Sequence, residues 1–76
     1  MTRVEYYILR SAYPPNSSII LDRATTGGIP AGSTGKVVNI NKDMDTISVN
    51  FDNGIQRNLI YGKDYFHRNI RERYRY

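Results

Sequence analysis

Apolar and polar positions alternate most cleanly over residues 46–52. Ile47, Val49 and Phe51 interleave with Thr46, Ser48, Asn50 and Asp52. A period of two puts the three apolar side chains on one face of a strand and the polar ones on the other. Asn53-Gly54 follows, and this pair favours a two-residue type I′ turn with φ > 0 at both residues. Residues 55–60 are then the return strand. Ser18–Asp22 and Lys36–Ile40 are short apolar runs bounded by turn residues, and each predicts a strand. Asn41–Asp45 reads as a polar hairpin loop. Tyr61–Asp64 reads as a further turn, and Tyr65–His67 as a last short strand. Between the first two strands, TTGGIPAGSTG holds four glycines and a proline in a succession of turns. Pro30-Ala31-Gly32 suits a β-turn with Pro at its second position. Gly35 fits a strand opening where a side chain would crowd the backbone.

The first twelve residues have another period. Thr2-Arg3-Val4-Glu5 matches a capping box. Val4, Ile8 and Ala12 recur at helical spacing, with Tyr6, Leu9 and Tyr13 in a second row beside them. Pro14-Pro15 must end the element, because proline has no N–H and the residue before it avoids the α region. The spacing predicts a helix over residues 3–12. The β-formers in VEYYIL favour a strand there instead.

Five short strands in about 45 residues predict a mainly β fold, a small five-stranded SH3-like barrel with a short N-terminal helix. The chain of 76 residues makes one domain, over residues 1–67, followed by a basic Arg/Tyr tail over 68–76. A chain of this size buries about 60–65% of its unfolded surface, which leaves no room for a deep cleft. It has no cysteine, hence no disulfide and no Cys-based zinc site. The start lacks the apolar run of a signal peptide, and no segment is as apolar as a membrane span. These features predict a cytoplasmic protein that binds no membrane.

Charge changes the picture at one end. The chain has 11 Lys+Arg and 7 Asp+Glu, a net charge of +4. Residues 68–76 hold four of those arginines against one glutamate, a net +3, which leaves seven basic and six acidic residues elsewhere. A clustered charge of this kind suits an anionic partner or a solvated tail.

Three sequence signals for catalytic or ligand chemistry fail. Gly32-Ser33-Thr34-Gly35-Lys36 looks like the end of a P-loop, but Pro30 holds the leading glycine position and Val37 the Mg²⁺-binding hydroxyl position. The residues that follow announce a strand where a P-loop needs a helix. Asn41-x-Asp43-x-Asp45 has calcium-loop spacing, but Thr46 replaces the required glycine and Asp52 the expected glutamate. His67 is the only histidine, so it makes neither a triad nor a zinc site with cysteine or a second histidine. No enzyme, metal or cofactor is expected.

Seven tyrosines remain to be explained. Tyr6, Tyr7 and Tyr13 are expected to cover the barrel from the helix. Tyr61 and Tyr65 flank Lys63. In the tail, Arg68, Arg71, Arg73 and Arg75 accompany Tyr74 and Tyr76. Tyrosine and arginine together are a common composition of protein interfaces and of stacking surfaces for single-stranded bases. These nine residues are the candidate partner-binding set. RERYRY, continued as a strand, would offer an edge for a homodimer.

The ordered series of Arg3-Val4-Glu5, Tyr13-Pro14-Pro15, Ile29-Pro30-Ala31-Gly32-Ser33-Thr34-Gly35-Lys36-Val37, Ile47–Gly54 and Asp64-Tyr65-Phe66 resembles a family of small SH3-like, KOW-like barrel domains of unknown function. These occur in phages and mobile elements of Firmicutes. The resemblance covers residues 3–67. Asn16 stands where the family usually has Gly, and Phe51 where it usually has Trp. The resemblance implies a fold and a genomic setting but no reaction.

The expected function is a non-catalytic binding module, a phage or mobile-element accessory protein that binds and inhibits a host protein such as a defence nuclease. The alternatives are a nucleic-acid-binding module acting through the tail, and a self-assembling structural subunit.

Overall fold

The Thr2–Glu5 capping box forms as its spacing predicts. The Thr2 hydroxyl accepts from the Glu5 N–H at 3.1 Å, and the Glu5 carboxylate accepts from the Thr2 N–H at 2.8 Å. The helix it starts, α1, covers Arg3–Ala12. Pro14-Pro15 closes it, and the Tyr13 N–H donates back to the Leu9 carbonyl. The computed structural model describes residues 1–25 and 27–69.

Five strands follow: β1 (Ser18–Leu21), β2 (Thr34–Asn41), β3 (Thr46–Phe51), β4 (Gln56–Ile60) and β5 (Phe66–Arg68). They form one antiparallel sheet in the order β4-β3-β2-β1-β5. The fold is mainly β with one short N-terminal helix, as the sequence predicts. The inward residues of the sheet make a single core of Ile19, Leu21, Val37, Ile47, Val49, Phe51 and Leu59, closed by Ile29 from the glycine-rich loop. Tyr13, Ile40, Tyr61 and Phe66 pack around its rim. Among the described residues, no helix is long and apolar enough to cross a membrane.

Several local expectations change. The 53–54 turn is not a type I′ turn. Only Gly54 has positive φ, at 88°, and Asn53 does not. The Gly54 N–H donates to the Phe51 carbonyl and the Phe51 N–H to the Ile55 carbonyl, so the loop has three residues, Asp52–Gly54. Asn53 uses its side-chain oxygen to accept from the Ile55 N–H, a bond that holds it outside the left-handed region. The 30–33 turn also shifts by one position. Ser33 donates to the Pro30 carbonyl, so Pro30 is the first residue and Gly32 carries φ 84° at the third.

The last strand runs over 66–68 instead of 65–67, because Ile19, Ile20 and Leu21 pair with Arg68, His67 and Phe66. Arg68 therefore belongs to the sheet. Residues 30–33 are a turn and Thr34 already begins β2, so the P-loop reading fails here as it did in the sequence.

The helix faces are reversed from a simple apolar-stripe reading. Val4 and Ile8 are 66% and 63% exposed, and Tyr7 is 56% exposed. Tyr6 and Leu9, with Tyr13 just beyond the helix, form the half-buried row. Tyr7 therefore does not cover the sheet, whereas Tyr13 does.

Candidate aromatic cleft

The turn between β4 and β5 is built by Asp64. Its carboxylate accepts from the Ile60 N–H at 2.8 Å, and its own N–H donates to the Ile60 carbonyl at 2.9 Å. Gly62 supplies the positive φ, 87°, that lets the chain reverse in so few residues. Asp64 is a buried carboxylate with its hydrogen-bonding capacity turned on the backbone. The reciprocal pair fixes the directions in which Tyr61 and Tyr65 leave the chain. The Asp22 N–H donates to the Tyr65 carbonyl at 2.8 Å and so ties the turn to the end of β1.

On the other side stands α1. Leu9 and Tyr13 face Tyr61, Tyr65 and Phe66 across a cleft of about 240 Å³. Tyr13 and Phe66 meet edge to face, with ring centroids 5.2 Å apart. The Tyr61 hydroxyl donates to the Glu5 carboxylate at 3.1 Å, which bridges the turn and the first turn of α1. Tyr65 is 49% exposed and carries Arg23 over its ring, 4.7 Å from the centroid. A positive charge over an aromatic face is a favourable and weakly hydrated arrangement.

The electrostatics follow from these bonds. The Thr2 N–H, the Tyr61 hydroxyl and the Thr2 hydroxyl hold the Glu5 carboxyl below the usual carboxylate range. The same bond to Glu5, with some burial, raises the Tyr61 phenol above its ordinary value. Burial raises the Tyr13 phenol; Arg68 opposes this and Asp22 adds to it. The carboxylates at the cleft, Glu5 and Asp64, are both occupied in holding the structure together. The volume lies below the roughly 300–1,000 Å³ of a drug-sized pocket. Its size and aromatic lining suit one or two apolar side chains of a partner.

The structure therefore brings together Tyr61 and Tyr65 of the predicted set, with Lys63 exposed on the turn between them. Arg68 is half-buried on β5. Arg71, Arg73, Tyr74, Arg75 and Tyr76 lie outside the described residues. His67 is exposed on β5, with Nδ1 against an Asp22 carboxylate oxygen. Sequence reasoning missed Leu9, Tyr13 and Asp64 as cleft residues. Leu9 and Tyr13 sit in the same helical row, four residues apart, and that row was the available signal.

A family model described as a domain of unknown function (DUF4314) matches residues 3–69. The chain belongs to this family. The match begins with α1 and ends just beyond β5, so it contains the whole cleft. No curated protein and no solved structure matches the chain.

Proposed function

We propose that this member of the DUF4314 family is a non-catalytic binding module that holds an apolar or aromatic segment of a protein partner in the cleft between α1 and the 61–65 turn. The observation that carries this reading is the convergence of Leu9, Tyr13, Tyr61, Tyr65 and Phe66 on one opening. Aromatic side chains held in place by neighbours are the residues that dominate protein interfaces. The engagement of Glu5 and Asp64 in structural hydrogen bonds favours recognition over acid–base chemistry.

The finer form of the proposal takes its setting from the family resemblance. The sheet is a small SH3-like barrel, and the protein is a phage or mobile-element accessory factor that inhibits a host protein such as a defence nuclease. A selection of random peptides against the full chain, repeated with Tyr65→Ala, tests the binding claim. The expected peptides share an apolar or aromatic anchor. They bind Tyr65→Ala more weakly by about 1–2 kcal/mol, roughly five- to thirty-fold in Kd. Failure to recover such peptides, or equal binding to both proteins, overturns the claim. Labelled single-stranded DNA and RNA in the same buffers test the alternative. Binding by the tail predicts a log–log salt slope of about −3 to −4 for four phosphate contacts.

A further inference from the structure

A second opening lies between α1 and β2. Tyr6, Arg10 and Tyr13 line it from the helix side, Pro15 from the turn that follows, and Asn39 and Ile40 from β2; its volume is about 190 Å³. A β-bulge in β2 sets the last two in place. The register against β3 shifts between Val37 and Asn39, so Ile40, three residues after the inward Val37, pairs with the inward Ile47. Regular alternation would have turned Ile40 outward. Bulges re-aim side chains in this way and are over-represented beside functional sites. Tyr13 lines both this opening and the aromatic cleft. Leu9 and Arg10 are consecutive, about 100° apart around the helix, and the first reaches the cleft while the second reaches the new opening.

Arg10 is the one charged residue in this lining. Among the described residues it has no hydrogen bond and no ion pair. Glu5, the only acid of α1, lies about 140° from it around the helix and is held by Thr2 and Tyr61. Asp64, the buried acid of the cleft, is spent on the Ile60 backbone. A cation in the last turn complements the helix dipole, but any exposed position there would serve that purpose. The dipole does not explain a guanidinium set among two tyrosines and a proline. Its N–H groups are left for a ligand, and their fork matches the two oxygens of a carboxylate.

We infer that the partner segment whose apolar anchor enters the aromatic cleft also carries an aspartate or glutamate, and that Arg10 receives its carboxylate in the opening between α1 and β2. The inference rests on the cleft being the seat of a protein segment. Size and charge decide the occupant. The volume suits one side chain, and a single cation suits a single negative charge. Tyr6, Tyr13 and Pro15 shield one side of the pair from water, which strengthens it. A nucleic-acid strand fits less well, because its phosphates call for several cations and residues 1–67 hold seven basic against six acidic residues. The cleft would thus supply affinity through its aromatic walls, and Arg10 would supply selection among apolar segments by charge.

The test repeats the selection of random peptides on the full chain and on Arg10→Gln. Peptides recovered on the native chain are expected to carry Asp or Glu at a preferred distance from their anchor, and those recovered on Arg10→Gln are not. The tightest native peptide is then made with an amidated end, once with its acid and once with the matching amide, and both are titrated by fluorescence anisotropy. The acid form should bind the native chain about tenfold more tightly than the amide form. Arg10→Gln should lose that preference and bind the amide form as the native chain does. Arg3→Gln removes the same charge about 10 Å away along the helix and should keep the preference. Both arginines are exposed, and circular dichroism confirms that each variant keeps its helix and sheet. Tyr65→Ala should weaken both forms and leave their ratio unchanged. Anchored peptides without acid enrichment overturn the inference and leave the cleft reading standing. So does an acid preference that survives Arg10→Gln or is lost equally in Arg3→Gln. Recovery of no anchored peptide overturns both. A labelled single-stranded oligouridylate that binds more tightly than the peptide, and loses that binding in Arg10→Gln, overturns the inference in favour of a nucleotide site.

Discussion

Gly35 and Asn16 show how single residues constrain this fold. A Cβ on Gly35 would lie 2.7 Å from the Asn50 carbonyl oxygen, 2.8 Å from Val49 Cγ1 and 2.9 Å from Phe51 Cα. Two of these atoms are backbone, so β2 and β3 would have to separate. Gly35→Ala is expected to destabilise by about 1–3 kcal/mol, the usual range for overpacking, as read by urea unfolding. An unchanged midpoint would show that the strands can part without cost. Asn16 has φ 73° just after Pro14-Pro15, where its N–H donates to the Val37 carbonyl at 2.7 Å. A positive φ is thus a conformational requirement at this position, and Asn is among the few side chains besides Gly that meet it. Asn16→Val should cost about 1–2 kcal/mol and Asn16→Gly well under 1, measured the same way. The crowding at Gly35 was legible in the sequence. The reason for Asn16 was not, since one residue's sign of φ depends on where the chain must go next.

Element by element, the strands and the helix were legible because each has its own period and its own punctuation. The capping box and Pro14-Pro15 bound α1, and the 46–52 alternation gives β3 its inward face. Which helix face turns inward was not legible. The sequence offers two adjacent rows, and the tertiary bond from Tyr61 to Glu5 selects the one with Tyr6 and Leu9.

The Glu5 carboxylate makes the element sensitive to acid, through the bond from the Thr2 N–H first and that from the Tyr61 hydroxyl second. Because the Glu5 carboxyl is lowered in the folded state, its contribution is fully present above the ordinary value of 4.5 and is lost as pH falls through the lower folded-state value. Helical circular dichroism should fall in that window and Tyr61 should become more exposed, and Glu5→Gln should remove the transition. A pH-independent helix signal in the native protein would contradict this. Asp64 is expected to matter more. Asp64→Ala leaves the half-buried Ile60 N–H without its acceptor and should cost about 1–3 kcal/mol by thermal unfolding.

In the whole molecule, the cleft is a product of topology. Leu9 and Tyr13 come from the start of the chain and Tyr61 to Phe66 from its other end. They meet because β1 accepts β5 as its neighbour, which returns the end of the chain to the foot of α1. Local periodicity carries no trace of such a meeting, so Tyr61 and Tyr65 stood out by composition alone. The most direct test of the binding reading is amide chemical-shift mapping of the full chain, titrated with the peptide that the selection recovers. The account predicts shifts at Leu9, Tyr13 and residues 61–66 that persist at about 300 mM salt, where exposed charges are largely screened. Shifts confined to residues 68–76 and abolished by that salt would contradict it.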